Sequence, residues 1–433
     1  MKRMERLIRI LSALSLFVLM SGNLSFGAEV NGIYTEPTTK DLGVLTKLKV
    51  LEGIKVRGWI STYYEINTND PSNAAVNCLQ DMSSSLNCPT LNPTSAASTV
   101  KSRHIDIEGR TFDVHSNSFS VELAELEIEK VPGIGEVGFK FDLAFGDTQD
   151  IMVDTIKGRV GAQQSTDYIS DFDKTFQHAS ISYVAPVGRG LRLDVGKFVT
   201  HIGGETIAGI KNNNFSHAFF YTYAIPFQDT GIRINYPWTD TFYTELYLLN
   251  GWNVTTDNNS GKTIGPSIGW AIGPFSWYLN YLAGPEQTNN SSNLRQLVDT
   301  QLYYTLGALN LALNYDLGTE KKALDTNGDG ITDTDASWTG VTGWARYKVT
   351  DVFEPSLRVE WYNDEDGFTT GLKQKLTGAT LTLNYKLGQG ADHILIRPEY
   401  RYDKSDEKFF SKNDQIRSEK TQQTYGINFV YYF

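Results

Sequence analysis

Thr424-Tyr425-Gly426-Ile427-Asn428-Phe429-Val430-Tyr431-Tyr432-Phe433 alternates in character along its length. Counted in twos, Phe433, Tyr431, Phe429, Ile427 and Tyr425 share one face; Tyr432, Val430, Asn428, Gly426 and Thr424 share the other. Successive side chains of a strand point to opposite faces, so the stretch predicts a strand with one apolar, aromatic face and one more polar face. In water such a strand invites association along its edge. It suits either a secreted β-sandwich or a barrel closed in lipid, which has no free edge and an apolar outer face. The rest of the chain decides between them.

Period-two alternation starts at Ile54. Ile54, Val56, Gly58, Ile60, Thr62, Tyr64 and Ile66 take one face and Lys55, Arg57, Trp59, Ser61, Tyr63 and Glu65 the other. A second strand, Phe119 to Glu129, starts with Phe119, Val121 and Leu123 on one face, then changes phase to Ala124, Leu126 and Ile128, which predicts a bulge. Val131-Pro132-Gly133 is a tight turn, and Val137, Phe139, Phe141, Leu143 and Phe145 line the next strand. The rhythm of strand, long polar loop, strand, short turn then repeats to the end. Short turns fall near residues 186–190, 237–240, 273–274, 306–308, 350–355 and 388–390, with the long connections between them. This predicts an all-β, antiparallel, up-and-down transmembrane barrel of about 16 strands, with both ends and the short turns periplasmic and the long loops extracellular. A sandwich has no reason to keep that alternation of loop length.

The bulk properties agree. Lys2, Arg3, Arg6 and Arg9 precede an apolar run, Ile10 to Met20, that is too short to span a bilayer. Small residues around Ser25-Phe26-Gly27 place signal-peptide cleavage before Ala28, giving residues 1–27 as an export signal, 28–53 as a short periplasmic segment and 54–433 as the barrel. Thr38 to Leu51 reads as either a short helix or an extended strap. Losing the signal takes the formal charge from −11 to −14, which argues against nucleic-acid partners. The mean hydropathy of −0.31 fits a barrel, in which half of every strand is polar.

The polar faces carry the charges. Arg57, Lys140, Asp142, Arg192, Asp194, Arg233, Arg346, Lys348, Arg358, Glu360, Arg397, Glu399 and Arg401 are assigned to the lumen. An Arg or Lys facing lipid at mid-bilayer costs ~2–4 kcal/mol, so these side chains turn inward. Such a lumen is expected to be wet, and a barrel of about 16 strands is wide enough for an aqueous channel.

One stretch is distinctive. Gly196-Lys197-Phe198 with Gly203 and Glu205, then Asn214 and Ser216, Tyr223-Ala224-Ile225-Pro226-Phe227, Thr230-Gly231 and Asn250-Gly251-Trp252 resemble the β-barrel porin family labelled porin-2 or OmpL-like. The layout of that family extends from Ile54 to Phe433. The closing strand likewise resembles those of bacterial outer-membrane barrels, whose C-terminal Phe is read by the barrel-assembly machinery. The resemblance implies an outer-membrane porin in contact with outer-membrane lipids, a third loop that folds inward, and a homotrimer by analogy. It makes Lys197 and Glu205 candidates to face wall arginines at a constriction.

Two loop features stand apart. Cys78 and Cys88 lie in a Ser/Asn/Pro-rich stretch of an exported chain, which predicts a local disulfide. Asp325, Asn327, Asp329 and Asp333 place oxygen atoms around Gly328 and Gly330, a spacing that suits either calcium or a solvated acidic loop. Ala336 stands where an EF-hand carries Glu. No cofactor is required, and neither zinc spacing among the histidines nor a Gly-x-Ser-x-Gly elbow supports an enzyme. The expected function is a water-filled channel for ions and small polar solutes; the alternative is a non-conducting barrel acting through its loops as adhesin or receptor. Residues 28–53 are too few for the plug of an active importer.

Overall fold

A computed structural model describes residues 53–71, 107–158, 175–326, 332–389, 392–413 and 415–433. The export signal, the 28–52 segment and both cysteines lie outside the described residues.

The first half of the wall comprises β1 (Ile54–Asn67), β2 (Ser118–Lys130), β3 (Val137–Phe145), β4 (Phe176–Ala185), β5 (Leu191–Val199), β6 (Gln228–Pro237), β7 (Phe242–Leu249) and β8 (Thr263–Ile272). The second half comprises β9 (Phe275–Pro285), β10 (Leu294–Leu306), β11 (Leu309–Leu324), β12 (Thr334–Tyr347), β13 (Phe353–Asp364), β14 (Gln374–Gln389), β15 (Asp392–Ser405) and β18 (Thr421–Tyr432). Each pairs antiparallel with its neighbours in sequence, and β18 pairs with both β15 and β1, closing a 16-stranded barrel. The short hairpin β16 (Phe410–Lys412) and β17 (Gln415–Glu419) lies in the last long connection. Closure places Tyr431 opposite Ile60 and Phe429 opposite Thr62, so the aromatic face of the last strand joins the outer face of the first.

Alternation holds around the wall. Ile60, Leu193, Leu248, Leu313, Val359, Leu381 and Phe429 are exposed on the outside, whereas Arg57, Asp194, Asp316, Arg358, Thr380 and Asn428 are buried inside. The phase change in β2 is a bulge: Ser61 pairs with Leu123 and Thr62 with Val121, leaving Glu122 as the extra residue. Beyond it Leu123 turns inward, against Trp59 and Val430.

Some strands outrun their hydrophobic pattern. β11 continues past Leu317, pairing Gly318 with Trp338 and Glu320 with Ala336. The apolar outer face ends where a strand leaves lipid, but the hydrogen-bonded ladder has no reason to end there. The connection after β3 also differs from a plain loop, opening on α1 (Asp147–Gly158) with Asp147 and Asp150 in its first turn, where carboxylates favour a helix N-terminus. No helix among the described residues is long and apolar enough to cross a membrane, which says nothing about crossing by strands.

Candidate functional site

The third long loop, residues 200–227, folds into the lumen. It contains a 3-10 turn at Gly209–Lys211 and the short helix α2 (Phe219–Tyr223). Its apolar side chains form a core inside the barrel: Ile202, Ile207, Phe219, Phe220, Tyr221, Ile225 and Phe227 pack with Tyr247, Leu297, Trp338, Trp344 and Tyr362 of the wall. Burying each large apolar side chain contributes about 1.5–3 kcal/mol. At Gly203 φ is +87°, and a Cβ there would crowd Ile225 and Phe220, so the bend depends on glycine.

Wall charges hold the loop by its backbone. Glu399 accepts the N–H groups of Phe215 (2.7 Å) and Ser216 (3.1 Å), and Glu360 accepts that of Phe219 (2.5 Å). Arg397 donates to the Gly209 carbonyl (2.8 Å), Arg401 to that of His217 (2.5 Å) and Arg358 to that of Ser216. Arg358 also meets Glu205 at 3.0 Å, and the other Glu205 oxygen accepts the Ala218 N–H at 2.8 Å. Burial pushes the Glu205 carboxyl above its usual range, against the pull of Arg358 and the Ala218 N–H. Burial also pushes His217 down to about 4, so it stays neutral, with Nε2 donating to the Thr206 carbonyl at 2.7 Å.

Each strand-borne charge assigned to the lumen faces inward, but the environments differ from the wet lining expected. Arg358, Arg397 and Arg401 are fully buried under the loop, and Glu360 and Glu399 nearly so. Arg57, Lys140 and Asp142 join Glu127 in a network across β1 to β3, to which Lys211 of the loop adds a 2.5 Å contact. Arg346 pairs with Glu354 near the short-turn end. Lys348 is a correction: it lies beyond β12, in a turn, bonded to exposed Asp351. Lys197 is another. It lies within β5 rather than in the loop, and its side chain is buried.

Arg192, Asp194 and Arg233 are placed differently. Both arginines line an open cavity of about 1200 Å³ bounded by β5 to β10. It extends from the short turns at Arg189, Asp240 and Pro274 up to Thr200, His201 and Glu205 of the third loop. Tyr243, Tyr247, Tyr278 and Tyr303 line it as well. Sequence reasoning singled out none of these tyrosines. The available signal was their parity, since each shares a face with Glu245, Asn280 or Gln301 on a strand whose other face is already apolar.

At the long-loop end, Arg110 is buried among Asp113, Asp403 (3.1 Å) and Glu65 (3.6 Å), which ties the segment after residue 107 to β1 and β15. Glu108 accepts from Ser411 of β16 at 2.7 Å. Carboxylate oxygens of Glu125, Glu127 and Asp142 gather within 4.8 Å, but Arg57, Lys140 and Lys211 already answer their charge. Of the acidic loop, Asp325 and Asp333 are described, whereas Asn327 and Asp329 lie outside the described residues.

A closed lipid-facing barrel, a polar lumen and a third loop folded inward define the porin class of outer-membrane protein. The chain belongs to the family described as "Putative beta-barrel porin-2, OmpL-like", which matches residues 53–433. No curated protein matches. Among solved structures, an anion-selective porin from Comamonas acidovorans is 12% identical, covering 88% of this chain and 99% of its own, with a TM-score of 0.54. The outer membrane channel DcaP of Acinetobacter baumannii is 9% identical over 92% of this chain and 99% of its own, TM-score 0.48. OmpT, an outer membrane protein of Vibrio cholerae, is 10% identical over 88% and 97%, TM-score 0.48.

Proposed function

We propose that this barrel is a restricted diffusion channel for ions and small polar solutes across the outer membrane, with its short turns periplasmic. The observation that carries the reading is the cavity: an open lumen space, lined by arginines, carboxylates and amides among tyrosines, runs from the short turns up to the third loop. Solute movement is passive. The third loop is the resistance, because its core packs against β5, β7, β9 and β10 as well as β12 to β14, and the open space lies between that core and the short turns, along β5 to β10. Selectivity then depends on the cavity and the loop's edge, since the buried arginines of β13 and β15 have no water to act through. No catalytic step enters this reading. The outer apolar face meets outer-membrane lipid, the β18 pattern is the signal for barrel assembly, and a homotrimer is the assembly proposed by analogy.

The test is single-channel recording of the purified, folded protein in a planar bilayer. Small, discrete, ohmic steps are expected. A folded barrel that inserts and never conducts would overturn the channel reading and favour a loop-borne receptor or adhesin. The packing of Glu108, Arg110 and the β16–β17 hairpin, which gives the outer end a fixed surface, supports that alternative.

A further inference from the structure

The cavity beneath the third loop has a composition that ion diffusion does not call for. Its charges cancel. Arg192 and Arg233 converge on Asp194, at 2.9 and 2.8 Å. Beside them Glu245 accepts from the Tyr247 hydroxyl (2.9 Å) and the Asn235 amide (3.1 Å). Two guanidinium groups therefore face two carboxylates. At the mouth Arg189 pairs with Asp240, and Glu205 at the ceiling is held by Arg358. A site that selected an ion by charge would carry an excess of one sign.

Aromatic rings line the same space. Tyr243 on β7, Tyr278 on β9 and Tyr303 on β10 form a row, with centroids 6.5 Å and then 5.9 Å apart. The strand between the first two contributes Gly269, which pairs with both Tyr243 and Tyr278. A Cβ at that position would collide with the Tyr243 ring, so the glycine lets Tyr243 lie across β8 and join the row. Next to the row, Asn280, Gln301 and Ser267 line the cavity within a hydrogen-bonded chain that runs from Ser267 to Asn280, Asp299 and Gln301 and fixes the Tyr303 hydroxyl.

A balanced set of planar hydrogen-bonding groups beside a run of half-buried rings matches one chemistry. A sugar ring offers an apolar C–H face to an aromatic surface and a rim of hydroxyls that both donate and accept. Tyrosine suits this, with a large apolar body and a polar tip. We propose that the cavity is a binding site for neutral sugars of one to three units, on the diffusion path of the channel. The consequence for transport rests on the channel reading; the binding itself does not. The volume matches, since pockets for organic ligands span about 300–1,000 Å³ and this one is slightly larger.

The test uses the full barrel in planar bilayers, with maltotriose or sucrose added in turn on each side and citrate as the anionic comparison. Reversible current blocks by the sugars and none by citrate are expected, with Tyr278→Ala and Tyr243→Ala each weakening block about tenfold. Block by citrate without block by sugar would overturn the assignment in favour of an anion site. If the folded protein does not conduct, calorimetric titration with maltotriose in detergent separates the two readings. Heat that Tyr278→Ala diminishes sustains the sugar site while the channel reading falls. Absence of both heat and block overturns the site.

Discussion

Replacing Arg358 with leucine should release the part of the third loop nearest the cavity. Arg358 is fully buried and bonds Glu205, the Ser216 carbonyl and hydroxyl, Thr380 and Glu360. Removing one partner of a buried ion pair costs about 3–5 kcal/mol, because the other charge is left without compensation. Here that charge is Glu205, which retains only the Ala218 N–H among these contacts. Each 1.4 kcal/mol is tenfold, so the population with this segment undocked rises by roughly two to nearly four powers of ten. The rest of the loop stays docked, since Glu399 still holds Phe215 and Ser216 and Arg397 still holds Gly209. The expected readout is a larger mean conductance with more open-channel noise at fixed salt. Glu205→Gln, which removes the charge but keeps a hydrogen-bonding shape, should give a smaller change in the same direction. Heat-modifiable gel mobility confirms that each variant forms a barrel. A folded Arg358→Leu barrel with unchanged conductance and noise would refute the claim that this ion pair holds the resistive element.

Three further outcomes are expected. Burial pushes the Glu286 carboxyl, in the loop after β9, up to about 7 despite nearby Arg295 and hydrogen bonds from Thr263 and the Trp252 N–H. An unfolded glutamate titrates near ~4.3, so the folded state holds a proton that the unfolded state releases, and stability falls as pH rises from ~4 to ~7 and is flat above, by on the order of 3 kcal/mol. Glu286→Gln should remove that part of the fall in urea midpoints; an identical pH profile in the variant would refute it. Leu381→Arg places a charge on the lipid face and should cost ~2–4 kcal/mol in reversible folding into vesicles, and no cost would mean that the outer face is wrongly assigned. If the Asp325–Asp333 loop takes calcium, protease cleavage there slows with calcium and recovers with chelator; equal rates would leave a plain acidic loop.

The architecture was legible because its signals are local and redundant. Period-two patterning on Ile54 to Ile66, short turns such as Pro186 to Gly190 and the aromatic face of β18 each repeat one statement, and even the β2 bulge showed as a change of phase between Leu123 and Ala124. Strand ends were less legible where lipid contact stops, as in β11 beyond Leu317, because pairing there no longer leaves an apolar trace.

The site was legible in direction but not in environment, and the reason is physical. Alternation tells that Arg358, Glu360, Arg397, Glu399 and Arg401 point inward. It does not tell whether water or protein meets them there. A wet arginine and one that grips a loop carbonyl occupy the same strand position and obey the same parity. What distinguishes them is the partner: Gly209, Phe215, Ser216 and His217 offer bare backbone groups in a loop too tightly folded to satisfy them internally. Buried backbone N–H and C=O groups must find partners, so a loop that enters a barrel requires polar residues on the wall it meets. On β13 and β15, therefore, the charges serve the loop, and open lumen space remains on the side where Arg192, Arg233 and the tyrosines of β7, β9 and β10 line the cavity, which is the side the proposed channel would use.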